Sequence, residues 1–181
     1  MLIVKNGGSS SVVDEFIKKY EYKIPEDYVK FLMIYNGGET PNTSIKTKNV
    51  STDIRAFFGL GNVNYSLDNA SVVDRNGNVY LPIAVDSFGN YFMLDVSCDL
   101  GVFFMNHEEN KALEGVADSF IKFLELCTSE PIKENSKLSP KEREKIMIEK
   151  GKSANITEGL RKMWKEEYKK YSRLIQEEVI I

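Results

Sequence analysis

The sequence predicts an α+β fold: a mostly antiparallel sheet with helices packed on it, followed by a C-terminal helical extension. Three observations lead there. Apolar residues recur at helical spacing up to about residue 36. Short β-branched and aromatic runs bounded by turn residues then dominate up to residue 105. Beyond a polar, proline-containing break at 128–138 the pattern becomes helical again and the charge balance changes sign. At 181 residues, one domain of about 130 plus an extension fits the usual domain size, so the expected division is 1–130 and 131–181.

The first helix is expected from Ser11, which can cap it, with Asp14 three residues on and Val13, Phe16, Ile17 and Tyr20 on one side. The second opens at Ile24-Pro25-Glu26-Asp27. Proline suits a first helical position because its missing N–H has no partner there. Tyr28, Phe31, Leu32 and Tyr35 form an i, i+3, i+4, i+7 stripe that should face a core, and Asn36-Gly37-Gly38 ends the helix.

Ile54–Phe58 reads as a strand. Asn76-Gly77 is a two-residue hairpin signal. The runs Val79–Val85, Tyr91–Asp95 and Val102–Met105 follow, joined by Ser87-Phe88-Gly89-Asn90 and by Ser97–Gly101, which together describe an antiparallel meander. Pro82 lacks the N–H of a ladder residue and implies an edge or a bulge. A closing helix should carry Val116, Phe120, Ile121, Phe123, Leu124 and Cys127. In the extension, Ser139-Pro140-Lys141-Glu142 is a capping box with proline behind the cap, and Thr157 caps a longer helix. The apolar stripe of that helix is Leu160, Met163, Trp164, Tyr168, Tyr171, Leu174 and Ile175.

Composition excludes several functions. The net charge is -3, opposite in sign to that of a protein binding nucleic acid by bulk charge. It conceals two opposed balances: 11 Lys+Arg against 18 Asp+Glu in residues 1–130, and 13 against 9 in residues 131–181. Cys98 and Cys127 are the only cysteines and His107 the only histidine, which excludes Cys/His zinc sites and disulfide scaffolds. No signal-peptide core or membrane-length apolar run is present, so a cytoplasmic protein with free thiols is expected.

Motifs for chemistry fail in turn. Asp74, Asn76 and Asn78 resemble the start of a calcium loop, but Val79 stands where glycine is required and Val85 where glutamate is. Gly7-Gly8-Ser9-Ser10-Ser11 lacks the lysine of a phosphate loop. His107-Glu108-Glu109 is the one place for histidine-based acid–base work, with Asp86 or Asp95 as conceivable partners. The plainer reading is a turn at a strand end. Basic residues of the last helix alternate with Trp164, Tyr168 and Tyr171, a pattern that could hold RNA. Interspersed glutamates, with Glu158–Lys162 and Glu166–Lys170 in the favourable i, i+4 order, favour a solvated amphipathic helix instead. Its stripe is available to the main domain, a second copy of the chain or a partner. No catalytic residues, cofactor or metal are expected.

Four segments in order resemble the SMI1/KNR4 family of the SUKH superfamily. These are Ile24–Tyr28 with Phe31-Leu32 and Asn36-Gly37-Gly38; Leu81–Asp86 with Gly89-Asn90 and Leu94-Asp95; Gly101–Phe104 with His107-Glu108; and Ala117 with Ser119-Phe120 and Phe123-Leu124. The resemblance spans roughly residues 10–128. It implies a SUKH-like fold and, for bacterial members, an immunity protein that neutralises a cognate toxin of a polymorphic or contact-dependent system, often a nuclease. Eukaryotic members imply the alternative of a non-catalytic scaffold or regulatory protein-binding module. An acidic domain would suit a basic nuclease cleft. The candidate partner contacts are the turn and loop carboxylates Glu39, Asp68, Asp74, Asp99, Glu108 and Glu109, with no direct contact to nucleic acid or membrane.

Overall fold

In the computed structural model, residues 1–8, 10–19, 23–69, 73–75, 77–97, 99–108 and 112–181 are described, those at 19, 69 and 73–75 by their backbone alone. The chain divides into two compact units, one of Met1–Glu130 with Glu177–Ile181 and one of Pro131–Gln176.

The first unit runs β1 (Leu2–Lys5), α1 (Ser10–Lys19), α2 (Glu26–Tyr35), β2 (Gly38–Glu39), β3 (Thr43–Lys46), β4 (Ser51–Asp53), β5 (Ala56–Phe57), β6 (Val73–Arg75), β7 (Asn78–Val85), β8 (Tyr91–Asp95), β9 (Val102–Met105), β10 (Leu113–Ala117), α3 (Phe120–Leu126) and β11 (Cys127–Ser129). The second contains α4 (Glu134–Lys137), α5 (Pro140–Glu149) and α6 (Glu158–Tyr171). The chain then rejoins the first unit as β12 (Glu177–Glu178).

A nine-stranded sheet has the order β10-β9-β8-β7-β5-β2-β1-β12, with β6 also paired to β7; a smaller sheet has the order β11-β3-β4. All pairings between the described strands are antiparallel. The α+β architecture read from the sequence is therefore the one present. Rings from α2 and α3 interlock with the sheet face. Tyr28 meets Phe120 edge-on at 4.9 Å, Phe31 lies 5.2 Å from Phe57, and Phe92 lies 5.0 Å from Phe123. Such pairs add to the burial of large apolar surface that holds the unit together. Tyr80, Met93 and Met105 form a smaller buried cluster beside the main core.

Local chemistry accounts for the element boundaries. Pro25 is the N-cap of α2, one place earlier than expected, and Asn36 itself takes the left-handed conformation at its C-cap (φ 51, ψ 44). The Asn36 side chain clamps the backbone of Leu60: Leu60 N–H donates to Oδ1 at 2.8 Å and Nδ2 donates to the Leu60 carbonyl at 3.1 Å. A Cβ on the adjoining Gly59 would stand 2.0 Å from the Asn36 carbonyl oxygen, so only glycine fits. The Pro82 expectation is met as a bulge, with the β7–β8 register shifting between Pro82 and Ala84. Arg75 pairs with Asn78 across the Asn76-Gly77 turn; Asn76 itself lies outside the described residues.

Several boundaries differ from the sequence reading. α1 begins at Ser10 rather than Ser11, and Tyr20 lies outside the described residues. Of the strand expected at 54–58, only Ala56–Phe57 is β5; the Arg55 and Phe58 N–H groups still donate to β7 at Val85 and Ile83, while Ile54 N–H donates to Thr43 instead. Val116 lies in β10, and Cys127 begins β11, so the closing helix is shorter at both ends.

In the second unit the capping box at α5 forms as read: Glu142 N–H donates to Ser139 Oγ at 3.4 Å, and Ser139 N–H donates to the Glu142 carboxylate at 2.7 Å. Thr157 caps α6. The stripe on α6 is narrower than expected. Trp164 is buried while Met163 and Tyr168 stay exposed, and the helix stops at Tyr171, before Leu174 and Ile175. The covered centre of the face runs through Leu160, Trp164 and Glu167, and Glu167 is there because Arg143 Nη1 donates to it at 2.7 Å beside the Trp164 ring. Arg161 and Glu144 form a second pair between α5 and α6, also at 2.7 Å. The last five residues, expected to belong to the extension, instead pair with β1. Leu2 lies opposite Glu178, and Tyr35 Oη accepts from Ile180 N–H at 2.8 Å.

Candidate functional site

The five-residue turn between β7 and β8 is held by a dense set of hydrogen bonds. Asp86 is 1% exposed. Its Oδ1 accepts from the N–H groups of Phe88 (2.9 Å) and Asn90 (2.8 Å), and its Oδ2 accepts from Asn90 Nδ2 (2.8 Å) and Thr52 Oγ1 (3.0 Å). A buried carboxylate is tolerated because these donors replace its water. Asp53, at the end of β4, accepts from Ser87 N–H at 3.1 Å and Ser87 Oγ at 2.5 Å. From the other side, Asn90 Oδ1 takes His107 N–H at 3.1 Å and lies 2.8 Å from His107 Nδ1. Two turns and the end of β4 are thereby tied into one surface.

The side chain at the tip of this turn is Phe88, which is 72% exposed. Full burial of a phenylalanine is worth roughly 1.5–3 kcal/mol, which this ring forgoes. Neither Phe88 nor Asp53 was singled out from the sequence. The available signal was a large aromatic placed inside a run of turn formers, Asp-Ser-Phe-Gly-Asn, where no core position exists.

The six candidate carboxylates do not form one cluster. Leu94 pairs with Val102 and Tyr91 with Met105, so Asp99 and Glu108, beyond opposite ends of β9, face opposite ends of the sheet. Asp74 lies opposite Val79, whose carbonyl accepts from Val96 N–H, which puts its backbone at the Asp99 end. Its side chain is not among those described. Glu39 sits on the cross-strand row that runs through Ala56, Val85, Tyr91 and Met105 to the Glu108 end, about four strand spacings, or roughly 19 Å, from β9. Asp68 is committed to its own loop, accepting from Gly61 N–H at 2.9 Å. Glu109, like Cys98, lies outside the described residues. Glu39, Asp68, Asp99 and Glu108 are exposed.

The groups weighed for acid–base chemistry are engaged otherwise. Asp86 holds the β7–β8 turn. Asp95 accepts from Ser97 N–H at 2.8 Å and fixes the next one. His107 is exposed, with Glu108 Oε1 4.0 Å from Nε2. The buried Cys127 Sγ donates to the Phe123 carbonyl at 3.1 Å, and burial pushes its thiol up to about 12, so it stays protonated and unreactive. Among the described residues, no three His, Cys, Asp or Glu side chains are grouped to hold a metal ion, and no helix is long and apolar enough to cross a membrane.

Charge separates more sharply by unit than by sequence half. The first unit carries 11 Lys+Arg and 20 Asp+Glu, the second 13 and 7. The β7–β8 turn offers one exposed ring on a hydrogen-bonded backbone.

Compared with known proteins, the chain matches a family model described as SMI1-KNR4 cell-wall, SUKH_6, over residues 13–124, more than half its length. No curated protein and no solved structure matches it.

Proposed function

The chain belongs to the SMI1-KNR4 family of SUKH domains, and from that premise we propose that it is an immunity protein that binds a cognate toxin and blocks it by occlusion. The family supports a protein-binding module in general. The finer reading rests on one observation: the carboxylates in reach of chemistry, Asp86 and Asp95, are spent on fixing turns, while the acidic unit they belong to presents Glu39 and Glu108 to solvent. Such a surface suits a basic partner, and a nuclease domain that grips phosphates is the chemical class that fits best. The exposed Met163 and Tyr168 of α6 are the surface through which a second copy of the chain could associate.

Co-expression with the toxin encoded by the adjacent reading frame tests the proposal. Growth should be rescued and the two proteins should purify together. Undiminished toxicity in cells that accumulate the folded chain would contradict it.

A further inference from the structure

We infer that Phe88, carried on the locked β7–β8 turn, is the anchor by which this protein holds its partner, and that the partner offers an apolar socket for the ring, rimmed by lysine or arginine. The inference rests on the binding reading above and deepens it by naming the surface.

Three observations carry it. Phe88 is the most exposed aromatic side chain among the described residues, at 72%, while its own N–H is fixed on Asp86 at 2.9 Å. Single exposed apolar residues are ordinary on protein surfaces; this one is carried on a turn whose backbone is hydrogen-bonded on both sides of it. Asp86, Asp53 and Asn90 between them fix the backbone at Ser87, Phe88 and Asn90 and reach across to His107. A ring presented from a fixed backbone loses little conformational freedom on binding, which is the property that makes aromatic residues dominate interface energetics. The surroundings set the partner's chemistry. Glu108, whose side chain is 80% exposed, adjoins His107, which Asn90 holds, and Asp53 accepts from Ser87, so carboxylates from two elements lie next to the turn that carries the ring, with Arg55 the exposed cation two residues from Asp53. A socket with basic edges is complementary to that arrangement, and a purely apolar or acidic one is not.

The test uses the full chain and, as probe, the protein encoded by the adjacent reading frame, with affinity measured by calorimetry. Phe88→Ala should weaken binding by about 30-fold or more, the level of an interface hot spot. Phe88→Tyr, which keeps the ring, should stay within about threefold of the native chain. Thermal unfolding should be unchanged in both, since the side chain faces solvent. Glu108→Gln should slow association and flatten its salt dependence. Native binding with Phe88→Ala equally tight would overturn the anchor and leave the immunity reading intact. Absence of binding by the native chain would overturn both.

Discussion

Two tyrosines on one helix face make opposite uses of their hydroxyls. Tyr28 is fully buried with no partner for Oη among the described residues, and burial alone drives its ionisation far above the ordinary tyrosine range. Tyr35 Oη accepts from Ile180 N–H at 2.8 Å and can donate to the carbonyl of Ile180 at 3.2 Å. Removing an unpaired buried hydroxyl leaves nothing unsatisfied, whereas removing a paired one strands its partners. Tyr28→Phe should therefore leave stability unchanged or raise it by about 1 kcal/mol, and Tyr35→Phe should lower it by about 1–3 kcal/mol, both measured by urea denaturation. The stripe that contains both residues was legible in the sequence because burial follows the helical period. Which hydroxyl finds a partner was not, because Ile180 lies 145 residues away in the chain. Phe88 escaped notice for a related reason: periodicity marks residues that face inward, and an anchor faces out.

At the scale of elements, caps and turns were the most legible features. Ser139 and Thr157 act through bonds to residues three places on, so spacing alone places them. The short strands β2, β3, β4 and β10 had no such signature, since each is held by partners far along the chain. The capping box also has a consequence for pH. The Ser139 hydroxyl and backbone N–H hold the Glu142 carboxyl below its usual range, and the Arg161 guanidinium does the same for Glu144. A carboxyl depressed in the folded state contributes stability that is fully present above its unfolded pKa, about 4.3, and is lost as pH falls through the folded value. The protection factors of the α5 amides should therefore be lower at pH 3 than at pH 6. Glu142→Gln should remove part of the pH dependence. Protection that does not change from pH 6 to pH 3 would contradict this assignment.

For the whole molecule, the sequence shows a change in composition beyond residue 130, but gives no sign that the chain returns to pair as β12. Two glutamates in a short polar stretch, Glu177-Glu178, give no strand signal; β1 supplies the pairing. The segment that leaves the first unit ends close to where it comes back, since Leu2 N–H donates to Ser129 Oγ at 2.9 Å and Leu2 lies opposite Glu178. A linker of about six Gly/Ser residues, reaching about 13 Å, should therefore replace residues 131–176 and leave the first unit as stable as before. Deleting 131–181 outright should instead cost that unit on the order of 2–3 kcal/mol. It removes β12, the Lys5–Glu177 ion pair and the anchorage of Tyr35. Equal denaturation midpoints for the two shortened proteins would show that β12 contributes nothing. The separation of charge also belongs to this scale: the acidic balance of the first unit is what the proposal of a basic protein partner rests on. The most direct measurement is a titration of the neighbouring toxin's activity with the purified chain. Activity should fall in proportion to the chain added and vanish near one equivalent; full activity at a large excess of folded chain would contradict the proposed role.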